Sequence, residues 1–293
     1  MAFTDSHLRW VWTTDSHLIA TADTRDIALR KAVVDCNDWR PNAFIHTGDI
    51  GDNNLERVQR GFNCLKNLRC PWHVSIGNHD EDEQATPGFP NTALLQGRDT
   101  FNRYPFYYTD TMTSGDGTLT ARLLFPDCQF YQVSAGAPEI VNPYHVVGDR
   151  VGYSSGEPSG GSFRQIGTVQ RAWMASVLAA DTTSQIVLVF PHYPITTPGV
   201  FPLDYLAVAD ILQADGRPAA LFAGHVHPDA KTYTLTSTDT LKSYTVYKAP
   251  AMQESGAWVR VELHLSAGAI VIDGLAVNNF TQPGAWVINA PFT

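Results

Sequence analysis

Ala43-Phe44-Ile45-His46-Thr47-Gly48-Asp49-Ile50-Gly51-Asp52 decides the fold of this chain. Four residues of strand-like character run straight into a glycine–aspartate turn. Asn53 or Asn54 can then cap a helix through Leu55, Val58, Phe62 and Leu65, an apolar spacing of helical period. Strand, polar turn and helix make half of a βαβ unit. The same unit stands on either side. Leu8–Thr13 is a β-branched and aromatic run that ends in polar residues. A helix capped by Asp23 or Thr24 follows through Ile27, Ala28, Ala32, Val33 and Cys36 and stops before Pro41. Downstream, Trp72–Ile76 reads as a third strand. Such alternation predicts a largely parallel sheet.

From Glu81 to Thr168 the pattern loosens, with weak strands near 107–109, 121–125 and 130–133. Irregular stretches of this length tend to be functional, and this one is expected to form an insert or cap at about 81–168 on a single domain, 1–293. Regularity returns with a helix over 169–180, a buried strand at 185–190, a helix near 203–212 and a strand at 219–222. Runs at 231–236, 243–248, 258–265 and 269–272 read as antiparallel strands completing the sheets.

The chain has 293 residues, a formal charge of −9 and 44% hydrophobic residues, enough apolar matter for a full core. An acidic chain does not carry the basic footprint of a nucleic-acid binder. No apolar run approaches the ~18 residues of a membrane span. Met1–Trp12 has no basic region leading into an apolar one, so no signal peptide is read and a cytoplasmic location is expected. The four cysteines, Cys36, Cys64, Cys70 and Cys128, have no CxxC spacing and read as free packed thiols, with Cys64–Cys70 as an alternative disulfide.

Chemistry concentrates in five short motifs, each placed where a strand ends. They are Asp15-Ser16-His17, Gly48-Asp49-Ile50-Gly51-Asp52, Gly77-Asn78-His79-Asp80, His192-Tyr193-Pro194 and Gly224-His225-Val226-His227. Side chains beyond strand ends in an α/β sheet line the ligand crevice, so five motifs can converge. Residues i and i+2 of an extended segment share a face, which aims Asp15 with His17 and His225 with His227. The pooled donors are carboxylates, imidazoles and one amide. That set suits borderline transition metals rather than an all-oxygen calcium cage. Seven ligands exceed one tetrahedral site and fit two ions that share Asp49. A second D-x-H, Asp5-Ser6-His7, has no strand before it to project it. His46 and His73, inside strands, read as core or supporting imidazoles, and His264 as structural.

These five motifs, in this order from Asp15 to His227, resemble the calcineurin-like metallophosphoesterases. The order also resembles the cyclic-nucleotide phosphodiesterase branch, although Tyr193 stands where that branch usually has a second histidine. The resemblance implies a four-layer αββα sandwich with two mixed β-sheets. It implies two divalent transition-metal ions, Mn, Fe or Zn, with Ni or Co as alternatives. Asp15, His17, Asp49 and His227 would hold the first, and Asp49, Asn78, His192 and His225 the second. His79 would face the scissile oxygen with Asp80 orienting its imidazole, and Asn78, His79 and His225 would contact substrate. The implied activity is phosphoester hydrolysis by a metal-bridging hydroxide, a phosphodiesterase first. A phosphomonoesterase or nucleotide pyrophosphatase is the alternative, and a non-catalytic scaffold is the rival from another class. The expected partner is a small-molecule phosphoester, with the cap surface a candidate homodimer interface. Arg98 or Arg103 in the insert would supply the extra charge that a monoester needs.

Overall fold

β1 (Leu8–Thr13) shows how the sequence builds the layers. Leu8, Trp10 and Trp12 point into one buried cluster, whereas Val11 points into another. From Trp10 to Trp12 both faces are dry, so the strand's second half reads as an uninterrupted apolar run, as central parallel strands do. In this computed structural model the described residues are 6–19, 24–52, 55–80, 107–128, 130–132, 139–140, 164–196, 204–227, 231–239, 241–266, 269–277 and 285–288.

The first sheet has β1 at its centre. β2 (Ala43–His46) lies parallel beside it and β3 (Trp72–Val74) beyond that. On the other side β13 (Trp258–Ser266) runs antiparallel, followed by β14 (Ala269–Val277) and β15 (Ala285–Ile288). The second sheet has the order β11 (Lys231–Thr236), β12 (Ser243–Lys248), β10 (Ala219–Ala223), β9 (Ile186–Val189), β5 (Thr120–Phe125) and β4 (Tyr108–Thr113). A three-stranded sheet joins β6 (Phe130–Gln132) to β7 (Glu139–Ile140) and β8 (Arg164–Gln165).

The two large sheets face each other across a core of Trp10, Trp12, Ile45, Leu123, Phe190, Phe222 and Val261. Trp10 and Trp12 each meet Phe222 edge-on, at 5.3 and 5.2 Å between ring centroids. That geometry adds to plain burial. α1 (Thr24–Trp39) and α2 (Leu55–Leu65) cover the outside of the first sheet through Leu29, Val33, Phe62 and their neighbours. α3 (Thr168–Ala180) and α4 (Tyr205–Asp215) cover the second through Met174, Leu178, Val208 and Leu212. The αββα sandwich expected from the resemblance is therefore the fold. α5 (Met252–Ser255) is a single turn.

Three expectations need correction. The run at 243–248 is antiparallel to β11, as expected, but parallel to β10 on its other side; alternation within a strand does not encode the direction of its neighbour. The third strand stops at Val74, and Ser75 turns to donate its hydroxyl to the Phe190 carbonyl. The segment at about 81–168 is not a cap throughout. β5 within it sits between β9 and β4 as a member of the second sheet. β4 was faint in the sequence because it is an edge strand with exposed Asp110, Thr111 and Thr113, a usual defence of a sheet edge. Residues 81–106 and 141–163, with Arg98, Arg103 and the rest of the expected cap, lie outside the described residues.

Candidate metal centre

The carboxyl ends of β1, β2, β3, β9 and β10 open at one rim of the sandwich, and each of the five motifs follows one of them. The tails of β1 and β2 stay paired beyond the strands. The N–H groups of Asp15, His17 and Leu18 donate to the carbonyls of Gly48, Asp49 and Ile50 at 2.9–3.0 Å. This register sets the first two motifs side by side.

Three groups of donors face one another: Asp15 with His17 and His227, His17 with Asp49 and His79, and Asp49 with His192 and His225. Within each, the donor atoms lie within 4.8 Å of one another. His17 Nε2 stands 3.4 Å from Asp49 Oδ2, and His192 Nε2 stands 3.2 Å from the same oxygen. One carboxylate oxygen thus faces both halves of the centre. Its other oxygen accepts the His79 N–H at 2.8 Å. Asn78 Oδ1 lies 3.2 Å from His192 Nε2, and His227 Nε2 lies 3.1 Å from Asp15 Oδ1. All seven residues expected as ligands therefore meet in one place.

The residues present fit cations. His17 Nε2 is buried and has no hydrogen-bond partner, an expensive state unless something else takes its lone pair or proton. Four of the five described non-glycine residues with positive φ are Asp15, His17, Asp49 and His225, at 41–66°. Strain of this kind persists where the surroundings over-determine a functional geometry. The charges agree. Burial opposes ionisation of Asp49, yet the His192 and His17 imidazoles hold it well below the usual carboxylate range. Burial likewise disfavours charged His192, but Asp49 and Asp15 push its pKa up to about 9. The imidazoles gather the positive charge that the carboxylates require, and bound metal would release those protons. Mixed nitrogen and oxygen donors suit transition-metal dications.

A supporting ring holds the donors, and Thr14, Thr47, Lys248 and Glu254 in it lie outside the five motifs. Asp15 Oδ2 accepts from the Thr14 hydroxyl at 2.6 Å and from the His225 N–H at 2.9 Å. His192 Nδ1 bonds the Thr47 carbonyl at 2.7 Å, and His227 Nδ1 meets Glu254 Oε1 at 3.0 Å. Partners of this kind fix the tautomer and orientation of a ligating imidazole. α5 brings Glu254 in, because the N–H groups of Met252 and Gln253 bond the carbonyls of Thr14 and Asp15. The Tyr193 hydroxyl donates to Asn78 Oδ1 at 3.1 Å. Lys248, buried at the end of β12, donates to the Val226 carbonyl inside the fifth motif. His46 is buried and kept neutral, its pKa lowered to about 3 by burial. It accepts the Gly48 N–H and so presents its other nitrogen to Ser16 Oγ at 2.9 Å. His73 packs against the stacked rings of Phe125 and Tyr108. In the second D-x-H, Asp5 lies outside the described residues, and His7 precedes β1 and lies beside His264.

One expected contact belongs to a different residue. Asp80 does not orient His79. Its two oxygens accept four backbone N–H groups, from Asp49, Ile50, Gly51 and Gly77, at 2.8–3.1 Å. Asp52 Oδ1 instead faces His79 Nδ1 at 3.3 Å. The short 3-10 turn at Asn78–Asp80 turns Asp80 inward beneath the 48–51 loop and leaves His79 about one third exposed at the rim.

The model of the calcineurin-like phosphoesterase family matches residues 2–229. No curated protein matches the chain. Among solved structures, a dimetal phosphatase from Danio rerio is similar with a TM-score of 0.59 and 15% identity, over 94% of this chain and 100% of that one. The GAP50 anchor in the inner membrane complex of Plasmodium is similar with a TM-score of 0.56 and 14% identity, over 99% of this chain and 91% of that one. With the family model spanning all five motifs of the centre, this chain belongs to the calcineurin-like phosphoesterases.

Proposed function

We propose that this chain hydrolyses phosphoesters with two transition-metal dications, and that its preferred substrates are diesters. The observation that carries the reading is the Asp52–His79 pair standing beside the Asp49-centred donor groups. Asp15, His17, Asp49 and His227 would hold one ion, and Asp49, Asn78, His192 and His225 the other. When bound, two such ions supply Lewis-acid polarisation of the phosphoryl group and a strong nucleophile from water at neutral pH.

The chain's residues do the rest. Asp49 faces both halves with one oxygen and fixes their separation. Asn78 adds a neutral donor, so the centre keeps positive charge for an anionic substrate. His79 stands at the exposed rim and hands a proton to the leaving oxygen, while Asp52 beside Nδ1 sets the ring so that Nε2 faces substrate. General acid help of this kind contributes about 10²–10⁴-fold. Diester preference follows from charge. Asp15 and Asp49 are the carboxylates of the three donor groups, and a singly charged diester asks for less compensation than a doubly charged monoester.

The test is hydrolysis of bis-p-nitrophenyl phosphate beside p-nitrophenyl phosphate by the manganese-reconstituted protein, with His79→Ala as control. Diester turnover that falls by about 10²–10⁴-fold in the variant, with metal content kept, is expected. Monoester preference would overturn the diester assignment and direct attention to Arg98 and Arg103. No turnover by the metal-loaded protein would favour a scaffold role, such as the anchor named among its structural neighbours.

A further inference from the structure

At the opposite end of β2 and β3 from the metal centre lies a second group of reactive side chains. α1 ends beside the turn that enters β3, and Asn37 clamps the two together. Its Oδ1 accepts the Arg69 N–H at 2.8 Å and its Nδ2 donates to the Asn67 carbonyl at 2.9 Å. The clamp brings Cys36 Sγ to 3.5 Å from Cys70 Sγ. Cys36 is buried and Cys70 is partly exposed. Cys70 lines a cavity of about 580 Å³ whose walls include Asn37, Arg40, Asn42 and Arg69. Among the described residues, neither arginine side chain has an ion pair or hydrogen bond, and both are exposed.

We propose that Cys70 and Cys36 are a modification site for an anionic low-molecular-weight disulfide, which the cavity's arginines hold while Cys70 attacks it. The division of labour follows from position. Cys70 is reachable and has two cations near it, the setting in which a thiolate forms. Hydrogen bonding from Cys36 lowers the pKa of Cys70 and drives that of Cys36 far up, so Cys36 is the reserve thiol.

The chemistry closes without a further reactant. The Cys70 thiolate attacks one sulfur of the oxidant; the oxidant's S–S bond breaks, and one half leaves as a thiolate and takes a proton from solvent. Cys36 then loses its proton to solvent and attacks the Cys70 sulfur. The mixed disulfide breaks and the second half leaves as a thiol. Two protein thiols are oxidised by two electrons and one disulfide is reduced to two thiols. The sulfurs need to close from 3.5 Å to about 2.05 Å. The thiol that stands 3.5 Å from Cys70 is Cys36, not the Cys64 that the sequence offered as its partner.

The experiment treats the folded, reduced full chain with oxidised glutathione, an anionic disulfide, or with cystamine, a cationic one. Products are read by intact mass and peptide mapping. Expected are the loss of two hydrogens, a Cys36–Cys70 linked peptide, and faster reaction with oxidised glutathione than with cystamine. Cys36→Ser should accumulate a glutathione adduct on Cys70, and Cys70→Ser should leave Cys36 unmodified. Arg40→Ala with Arg69→Ala should slow oxidised glutathione by about tenfold and leave cystamine unslowed. Linkage to Cys64 or Cys128, or pairing that appears only in urea, would overturn the site. Equal rates with both oxidants would overturn the anionic ligand.

Discussion

Asp52 faces the ring of His79 across 3.3 Å, while Asp80, the residue bonded to His79 in the chain, turns its carboxylate the other way. Two acidic residues of neighbouring motifs therefore divide two tasks, one at the reacting rim and one beneath the loop. Asp52→Asn should lower turnover by roughly 10²-fold while both metal equivalents remain. Elemental analysis beside kcat checks this. Loss of metal in that variant would make Asp52 a ligand instead.

Asp80 carries the opposite expectation. Its removal strands the four N–H groups of residues 49, 50, 51 and 77 in a buried turn. Unsatisfied donors cost about 1–3 kcal/mol each, less where the loop relaxes. Asp80→Ala should therefore lose about 4 kcal/mol in urea denaturation, seen as a lower midpoint at unchanged slope. Asp80→Asn keeps the shape but turns an NH₂ toward N–H donors, so it should fall between the two. An Asp80→Ala protein of wild-type stability but low kcat would return the residue to the rim.

The motifs were legible because each stands directly after an apolar strand run, and the strands bring them to one rim. The exchange between Asp52 and Asp80 was not, since Asp80 adjoins His79 in the chain whereas Asp52 stands in a different motif and reaches His79 only through the fold. Only the turn at residues 78–80 decides which one points at the ring. The supporting groups were silent for another reason. Glu254 meets His227 across 27 residues and Tyr193 meets Asn78 across 115, and nothing local marks such contacts. The parallel setting of β12 and the place of β5 inside the second sheet are likewise properties of the assembled sheet, not of any one run.

The structure leaves no room for a side chain at Gly77. A Cβ there would stand 2.1 Å from Asp49 Oδ1 and 2.3 Å from the Asp49 nitrogen. Neither atom can withdraw without moving the carboxylate that faces both halves of the centre. Gly77→Ala should therefore bind less than one metal equivalent under conditions that load the parent with two. Two full equivalents in the variant would show that Asp49 tolerates the shift.

Tyr193 is fully buried, and its hydroxyl donates to Asn78 Oδ1, the oxygen expected to face the second ion. Its ring packs 4.1 Å from that of His225, another expected ligand of the same ion. Tyr193→Phe keeps the ring and deletes the hydrogen bond. It should weaken the second metal equivalent by about 10-fold and spare the first, as loss of such a supporting contact does elsewhere. A metal titration followed by calorimetry separates the two steps. Equal weakening of both would point to a packing defect.

Far from the centre, Asp181 ties β5 to the turn after α3. Its carboxylate accepts from Arg122 Nε and Arg217 Nη1, both at 2.9 Å, and from the N–H groups of Thr183 and Ser184. Burial alone would raise its pKa, but Arg122, Ser184, Thr183 and Arg217 together hold it well below the usual carboxylate range. A carboxylate whose native pKa is depressed gives stability that is complete above its unfolded value, about pH 4. That stability drains away as the pH falls toward the native value, because the unfolded chain then binds the proton first. Asp181→Asn should therefore be less stable than the parent by about 2 kcal/mol at pH 7. The gap should narrow as the pH is lowered from 5 to 3. Urea midpoints across that range measure it. A gap that stayed constant would assign the loss to packing of the side chain, not to its charge.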